Sequence, residues 1–277
     1  MGAERCCGVN RHGAQLGKSE DEGGVEGIAA LADELVAIRQ GRKALADAGA
    51  WSLFTPQEAY QVQTEVAARC DWFAGGPPLF WKSGGPSRDS VLTHAPLPPA
   101  GVVRNPGHLK EMPFAMRGIE AEIALRLGQP VDTEMVSVLD AEGASKLVDA
   151  MAVSIEIVDS RWQQGMAAPV LLKLADLQSH GALVLGDWVP FRAVDWAQQE
   201  CRVQVGGQPE VVRRGTHMLG DPAWLLPQWL RHACARFGPL PLGTVVTTGT
   251  WVGILPAQAG DTVHVVFDGI GVASVML

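Results

Sequence analysis

The sequence predicts an α+β protein in which helices come first and a mixed, largely antiparallel β-roll follows. From about Val25, apolar residues recur every three or four positions, as they do along one face of a helix. From Val102 onward, runs that alternate apolar and polar residues dominate, and alternation is typical of β-strands. We therefore expect a polar, disordered leader over residues 1–24, a helical and extended region over 25–100, and a β-roll over 101–277.

Two further helices are predicted by their start signals. Thr55 can cap the first, Pro56 suits its first helical position, and Glu58 completes a capping box. The second begins at Asp221 in the same way and ends at Gly238. Strands are expected over residues 79–82, 118–128, 151–162, 182–185, 201–205, 244–248, 262–267 and 270–276, with a helix around 141–150 and a short helix or extended segment over 170–179.

Composition narrows the classes of function. The net charge is −8 and the pI is near 5.4, with no cluster of Lys or Arg, which argues against nucleic acid and anionic membranes as partners. No apolar run approaches the roughly 20 residues that cross a bilayer, and no secretory signal is visible. The five cysteines form no CxxC pair, so we expect reduced thiols in a cytoplasmic protein.

Glu120 and Glu122 are the central candidate residues. They lie in a segment whose apolar and polar residues alternate, so a strand would project both carboxylates from one face. Like charges side by side are costly unless a positive charge balances them. Oxygen ligands in this arrangement suit Mg²⁺ or Mn²⁺. The spacing is equally compatible with a solvated strand face whose neighbour supplies Lys or Arg.

Lys82 and Glu156 are further candidates on predicted strands. Lys82 ends an apolar strand, where burial could lower its pKa and fit it for proton transfer. A lysine that simply ends a strand and points to water is the alternative. Glu156 is a lone carboxylate between two isoleucines, so it lies either at a strand surface or in a site.

Four segments together resemble the fumarylacetoacetate hydrolase superfamily. They are IEAEIALRL, SIEIVDSRW, KLADLQSHGALVLG and TGTWVGILPAQAGDTVHVVFDGIGVASV, in that order. The resemblance covers roughly residues 26–277 and is closest to the branch of 2-oxopent-4-enoate hydratases and 4-oxalocrotonate decarboxylases. It implies the mixed β-roll of the family's C-terminal domain. It also implies that Glu120, Glu122 and Glu156 bind Mg²⁺ or Mn²⁺.

The resemblance assigns other roles residue by residue. Lys82 falls where the family has a lysine in a G-W-K-[IV]-G-like segment, and Lys173 where many members have a lysine that approaches the substrate, so both are expected to be catalytic. Ser179 and Thr250 match residues that bind substrate, with Thr250 holding a carboxylate. The chain departs from the family in the SGGPSR segment after Lys82, in a shortened insertion that usually carries a pocket Asp, and in Leu177, where Asn is usual.

The resemblance implies a lyase. The expected reaction is the metal-dependent addition of water to a 2-hydroxypenta-2,4-dienoate-like acid, which gives a 4-hydroxy-2-oxo acid in aromatic catabolism. A 4-oxalocrotonate-type decarboxylase, an acylpyruvate-type C–C hydrolase and a non-catalytic paralogue are the alternatives. The resemblance also implies a homo-oligomer and association with a related decarboxylase or hydratase.

Overall fold

The computed structural model describes residues 20–277, with side chains from residue 26. Residues 1–19, which make up most of the leader expected over 1–24, lie outside the described residues. The helices are α1 (Glu20–Arg39), α2 (Pro56–Arg69), α3 (Thr133–Ser137), α4 (Ala141–Ser145), α5 (Val170–Ala175) and α6 (Leu226–Phe237). None of the helices in the described part of the chain is long and apolar enough to cross a membrane.

The described residues contain fourteen strands, which form two sheets. They are β1 (Phe80–Gly84), β2 (Thr93–Pro96), β3 (Val102–Arg104), β4 (Gly107–His108), β5 (Gly118–Leu127), β6 (Val148–Val158), β7 (His180–Leu185), β8 (Val189–Pro190), β9 (Glu200–Val205), β10 (Val211–Arg214), β11 (Val245–Thr247), β12 (Leu255–Pro256), β13 (Thr262–Phe267) and β14 (Gly271–Met276). The α+β class is confirmed.

The larger, nine-stranded sheet carries the candidate residues. Its main path runs β2-β1-β11-β5-β6-β7-β3, with β12 beside β5 and β8 beside β6. The pairing of β5 with β6 is antiparallel and extends along almost the whole of both strands. Only the β1–β11 and β3–β7 pairs in this sheet are parallel. The roll is therefore mixed and largely antiparallel, as predicted.

The two faces of β5 and β6 have different surroundings. Their odd-numbered side chains, including Ile123 and Ile155, belong to the main apolar core together with Val265 and Val275 of the smaller sheet, whose order is β10-β9-β13-β14-β4. Side chains alternate along a strand. The even-numbered side chains of β5 and β6 therefore lie on the opposite face, which leaves that face free to form a site.

The N-terminal helices form a second apolar cluster over α5. Leu35 of α1 and Val62 of α2 are buried against Leu172 and other residues of this region. The capping box predicted at the start of α2 is confirmed, because Glu58 N donates to Thr55 Oγ1 at 3.2 Å and Thr55 N donates to Glu58 Oε2 at 2.9 Å. This packing holds α5 and the segment that follows it against the large sheet.

Some predicted boundaries are wrong. The first helix begins at Glu20 rather than near Val25. The helix expected around 141–150 is shorter than predicted, because α4 ends at Ser145 and β6 begins at Val148. A separate short helix, α3, is capped by Asp132 and precedes it. The helix expected from Asp221 starts as a 3₁₀ turn and continues as α6 to Gly238. Among the described cysteines, Cys70, Cys201 and Cys234 are free thiols, as expected.

Candidate active site

Three glutamates meet on the polar face of the large sheet. The register of β5 and β6 places Glu120 directly opposite Glu156, and Glu122 lies two residues further along the same face. One carboxylate oxygen from each residue lies within 4.8 Å of the other two. Glu122 and Glu156 are 1% and 0% exposed. The structure thus brings together the three residues that the sequence analysis singled out as metal ligands.

The carboxylates perturb one another strongly. Burial, followed by the charge of Glu122, raises the pKa of Glu120 well above its usual value. Burial and the charge of Glu156 raise the pKa of Glu122 to about 7. Charged forms are disfavoured here because the site is desolvated and the neighbours carry the same charge. A positive group in the middle of the cluster would reverse this preference.

Lys82 supplies a positive charge from β1. Its Nζ lies 2.5 Å from Glu156 Oε1 and donates to Gln178 O at 3.2 Å. Burial alone would lower the pKa of Lys82, but Glu156, Glu120 and Glu122 together outweigh burial, so the pKa is raised. Burial acts in the direction that the sequence analysis expected, but three carboxylates from other strands surround the ammonium and reverse the net shift. Lys82 is therefore a cation at neutral pH.

Glu122 is held by groups from β11 and the loop after it. Thr247 Oγ1 donates to Glu122 Oε2, and Gly249 N donates to the same oxygen at 2.8 Å. Ser154 Oγ lies 2.9 Å from Thr247 Oγ1 and extends the network to β6. These contacts fix the orientation of the carboxylate, as groups that hydrogen-bond to metal ligands commonly do.

His180 fixes the third carboxylate. Its Nδ1 lies 3.0 Å from Glu156 Oε1, and both side chains are fully buried. Burial lowers the pKa of His180. For Glu156, burial alone would raise the pKa, but Lys82 and His180 outweigh it and the pKa is lowered. A neutral imidazole beside an ionised carboxylate must donate through Nδ1, which fixes the tautomer of His180.

A left-handed turn presents the carbonyl that contacts Lys82. Leu177, Gln178 and Ser179 have φ values of 53°, 55° and 59°, which cost non-glycine residues roughly 1–2 kcal/mol each. Asp176, at the start of this turn, is held by Arg161 Nε and Arg39 Nη2, each 2.7 Å from its Oδ1. Since Arg39 belongs to α1, the N-terminal helices support the turn. Asn tolerates this conformation better than Leu does, which gives a physical meaning to the departure at Leu177.

The remaining predicted residues are placed unequally. Thr250 borders the cavity beside the glutamates, where its Oγ1 donates to Gly253 O at 2.9 Å. Ser179 is buried one residue after Gln178, and its Oγ has no hydrogen-bond partner among the described residues. Lys173 does not border this cavity. Its Nζ donates to Met166 O at 2.8 Å, so the structure does not bring Lys173 to the glutamate cluster, and its approach to the substrate stays a prediction.

The cavity beside Glu120 and Glu122 has a volume of about 160 Å³. It is bordered by the end of β1 and the residue after it (residues 82–85), by Gln178, and by the segments 217–219 and 247–250. The sequence analysis missed His180 and His217 in this region. Neither lies in a pattern that distinguishes a site histidine from a histidine of the core, so no local signal could have identified them.

The glutamate cluster fits a single hard divalent cation. Its donors are all carboxylate oxygens, which Mg²⁺ and Mn²⁺ prefer. Glu156 Oε2 is buried and has no hydrogen-bond partner among the described residues, although buried polar atoms are normally paired. Burial and the neighbouring glutamates raise the pKa values of Glu120 and Glu122, and a cation between them would favour their ionised forms. A cation would satisfy all three observations.

Comparison with known proteins supports the same conclusion about the family. Residues 91–275 match the family model described as fumarylacetoacetate (FAA) hydrolase C-terminal. The chain is 31% identical over 161 residues to a 2-hydroxyhexa-2,4-dienoate hydratase of Comamonas testosteroni, an alignment that covers 56% of this chain and 58% of the relative. It is also 31% identical over 159 residues to the TodF product hydratase of Pseudomonas putida, with coverages of 55% and 56%.

The chain thus spans a little over half the length of these two curated relatives. Among solved structures, 4-oxalocrotonate decarboxylase from Pseudomonas putida G7, complexed with magnesium and adipate, superposes with a TM-score of 0.77. The sequence identity is 20%, and the superposition covers 91% of this chain and 97% of the other. This likeness establishes the fold.

Proposed function

Because the chain belongs to the fumarylacetoacetate hydrolase C-terminal family, we propose that it is a divalent-metal-dependent hydro-lyase of aromatic catabolism. Its substrate would be a short 2-hydroxy-2,4-dienoic acid, and its product a 4-hydroxy-2-oxo acid. The observation that carries the proposal is the convergence of three carboxylates and one ammonium beside a small cavity. The two hydratases that resemble the chain support the class of reaction.

In this proposal Glu120, Glu122 and Glu156 hold Mg²⁺ or Mn²⁺. When bound, the cation supplies Lewis-acid chemistry, attracting the substrate's carboxylate and 2-oxygen and stabilising negative charge that develops there. Thr247 and Gly249 keep Glu122 in place through their hydrogen bonds to Oε2.

Lys82 is the proposed proton donor. Its ammonium is largely buried, with 12% of the side chain exposed, and it contacts Glu156. A 2-hydroxydienoic acid becomes a 2-oxo-3-enoic acid when its hydroxyl proton leaves and C5 receives a proton. A lysine held in its charged form can deliver that proton and be reprotonated afterwards.

The size of the cavity supports a short substrate. Its volume is about 160 Å³, whereas pockets for drug-sized ligands measure roughly 300–1,000 Å³. Thr250, which borders the cavity, is proposed to bind the substrate carboxylate, and Ser179 to support the turn that contacts Lys82. Lys173 has no part in this proposal, because it lies elsewhere.

A decarboxylase of 4-oxalocrotonate type is the second candidate, and Arg88 is the observation that favours it. Its Nε donates to the carbonyl of Leu219 at 2.5 Å, and Leu219 borders the cavity. Among the described residues, Arg88 forms no ion pair with an acidic side chain. A guanidinium held against a residue that borders the cavity suits the distal carboxylate of a dicarboxylic substrate.

The proposal includes a homo-oligomer in the cytoplasm. The free thiols of Cys70, Cys201 and Cys234 suit a reducing compartment, and the resemblance to the hydratase branch supports self-association with or without a related decarboxylase. Light scattering of the purified chain tests self-association. Co-purification with a related decarboxylase tests the association with that enzyme.

A substrate screen tests the function. The chain is incubated with Mg²⁺ and, in separate assays, with 2-hydroxypenta-2,4-dienoate, a 2-oxo-3-enedioate or an acylpyruvate. Loss of dienol absorbance with a 4-hydroxy-2-oxo acid in the NMR spectrum supports the hydratase. Release of CO₂ supports the decarboxylase, and release of pyruvate from an acylpyruvate supports a hydrolase. No turnover of any of these acids would contradict all three and favour a non-catalytic paralogue.

Calorimetric titration tests the metal assignment separately. Glu120→Gln and Glu156→Gln should each weaken Mg²⁺ binding at least tenfold, which corresponds to about 1.4 kcal/mol. Glu142→Gln is the matched control, since Glu142 is an exposed residue of α4 whose carboxylate pairs with Lys146. Unchanged affinity in both site variants would show that the cation binds elsewhere.

A further inference from the structure

The proposed hydration requires a base that the groups discussed so far do not supply. Water that adds to a carbon–carbon double bond must lose a proton in the process. Lys82 borders the cavity but is already assigned as the proton donor in the proposed function. Glu120 and Glu122 also border it, but they are committed to the cation in the proposed function. Of the described titratable residues that border the cavity, this leaves His217.

Hydrogen bonding fixes the tautomer of His217. Its Nε2 lies 2.9 Å from the carbonyl oxygen of Thr248. Because a carbonyl only accepts, Nε2 must carry the hydrogen, and in a neutral imidazole Nδ1 then has a free lone pair. His217 is 5% exposed, and its Nδ1 has no hydrogen-bond partner among the described residues. Leaving a buried acceptor unpaired costs roughly 1–3 kcal/mol, which points to a partner that arrives with the ligand.

The surroundings keep the imidazole neutral. Burial lowers the pKa of His217, and the charge of Arg88 acts in the same direction. The hydrogen bond to Thr248 and the charge of Asp221 oppose this shift without cancelling it. The indole of Trp251, whose centroid lies 5.6 Å from that of the imidazole, is uncharged and covers the ring. A neutral imidazole is the protonation state that a base requires.

We propose that His217 is the general base that activates water for addition. This inference rests on the proposed hydratase function. In the step, the water oxygen bonds to C4 of the 2-oxo-3-enoic acid, and one water proton passes to Nδ1 of His217. The electron pair of the C3–C4 double bond moves towards C2 and its oxygen. C3 then takes up a proton and the His217 imidazolium gives up the one that it accepted, so that one water molecule in total has been added across C3 and C4 and the imidazole is neutral again.

A purely structural role for His217 would have a different consequence. In that case the residue would serve only to anchor Thr248, and any side chain that donates from the same place would replace it. Glutamine carries a donor at the position of Nε2 but has no basic atom. His217→Gln therefore preserves the hydrogen bond to Thr248 while removing the base.

The test separates ketonisation of the dienoate from water addition. In D₂O, conversion of the 2-hydroxydienoate to the 2-oxo-3-enoate places deuterium on C5 and consumes no water, so this step, followed by NMR, needs no group that deprotonates water. In His217→Gln, we expect formation of the 4-hydroxy-2-oxo acid to fall about 10²–10⁴-fold, the usual contribution of general base catalysis. The rate of ketonisation and Mg²⁺ affinity by calorimetry should stay within twofold of wild type.

Chemical rescue provides the second readout. His217→Ala removes the ring, and added imidazole should restore hydration in a concentration-dependent way without changing the rate of ketonisation. Wild-type hydration rates in His217→Gln would overturn the inference and leave the hydratase function standing. An equal fall in ketonisation and hydration, or no rescue by imidazole, would show a structural role only. A wild-type chain that hydrates no dienoate would overturn the function and the inference together.

Discussion

Replacing Lys82 by Met should destabilise the protein strongly when no divalent cation is present. Lys82 Nζ and Glu156 Oε1 lie 2.5 Å apart, and their side chains are 12% and 0% exposed. Removing one partner from a buried ion pair costs about 3–5 kcal/mol. For a chain of this size, 1 kcal/mol shifts the Tm by about 2–4 °C. We therefore expect the Tm in EDTA at pH 8 to fall by about 6–20 °C.

The loss should depend on pH with a defined sign. The pKa of Glu156 is lowered in the folded chain, because Lys82 and His180 outweigh the effect of burial. A carboxyl group with a lowered folded pKa stabilises the protein above its unfolded pKa, which is about 4.3 for Glu, and loses that contribution as the pH falls through the folded value. The difference in Tm between wild type and Lys82→Met should therefore widen as the pH rises from about 4 to 8.

Thermal unfolding followed by circular dichroism measures this difference, with and without Mg²⁺. The cation should narrow the gap, since it supplies the positive charge that the variant lacks, and Lys82→Met should bind Mg²⁺ yet show no turnover. Lys173→Met is the matched control: its Nζ contacts only Met166 O, so its stability should change by less than about 0.5 kcal/mol. The same Tm for Lys82→Met and wild type at pH 8, or full turnover by Lys82→Met, would refute the reasoning.

Three further predictions follow from other contacts. Thr247→Val removes a hydroxyl that donates to the glutamate cluster and should weaken Mg²⁺ binding about 10-fold or more; Thr248→Val, whose hydroxyl donates to a backbone carbonyl instead, should leave calorimetric Mg²⁺ affinity unchanged. His94 and His232 stack at 4.6 Å, and burial lowers their pKa values to about 3 and about 4. Because unfolded histidine titrates near pH 6.5, the unfolded state takes up protons first and the Tm should fall between about pH 6.5 and 4, less steeply in His232→Gln. Arg88→Ala should raise KM for a dicarboxylic substrate and leave KM for a monocarboxylic one within twofold; equal effects on both would remove Arg88 from substrate recognition.

The alternation of residues along the chain predicted the orientation of candidate side chains but not their neighbours. It correctly implied that Glu120 and Glu122 share a strand face. The register that sets Glu120 opposite Glu156 depends on how two strands pair across an intervening stretch with two short helices, and periodicity carries no information about that. Glu156 entered the expected ligand set through the family resemblance, and the structure supplies the contact.

The features that the sequence analysis missed or misjudged arise from tertiary packing. Burial of Lys82 was visible in the pattern, whereas the carboxylates that raise its pKa come from β5 and β6. Lys173 lies on a predicted short helix, but the pattern of six residues cannot show which way a long side chain turns. His217 is held beside the cavity by a hydrogen bond between Nε2 and the carbonyl of Thr248, 31 residues further along the chain.

The protonation states of the cavity also bear on which reaction it serves. Hydration and decarboxylation both require stabilisation of an electron-rich dienolate, which a cation held by the glutamates and the Lys82 ammonium could provide in either case. Decarboxylation then releases CO₂ and needs no group that deprotonates water. Hydration needs one, and neither a cation nor an ammonium can accept a proton. A neutral imidazole beside the same cavity is superfluous for decarboxylation and necessary for hydration, so His217 favours the hydratase among the reactions that the family resemblance leaves open.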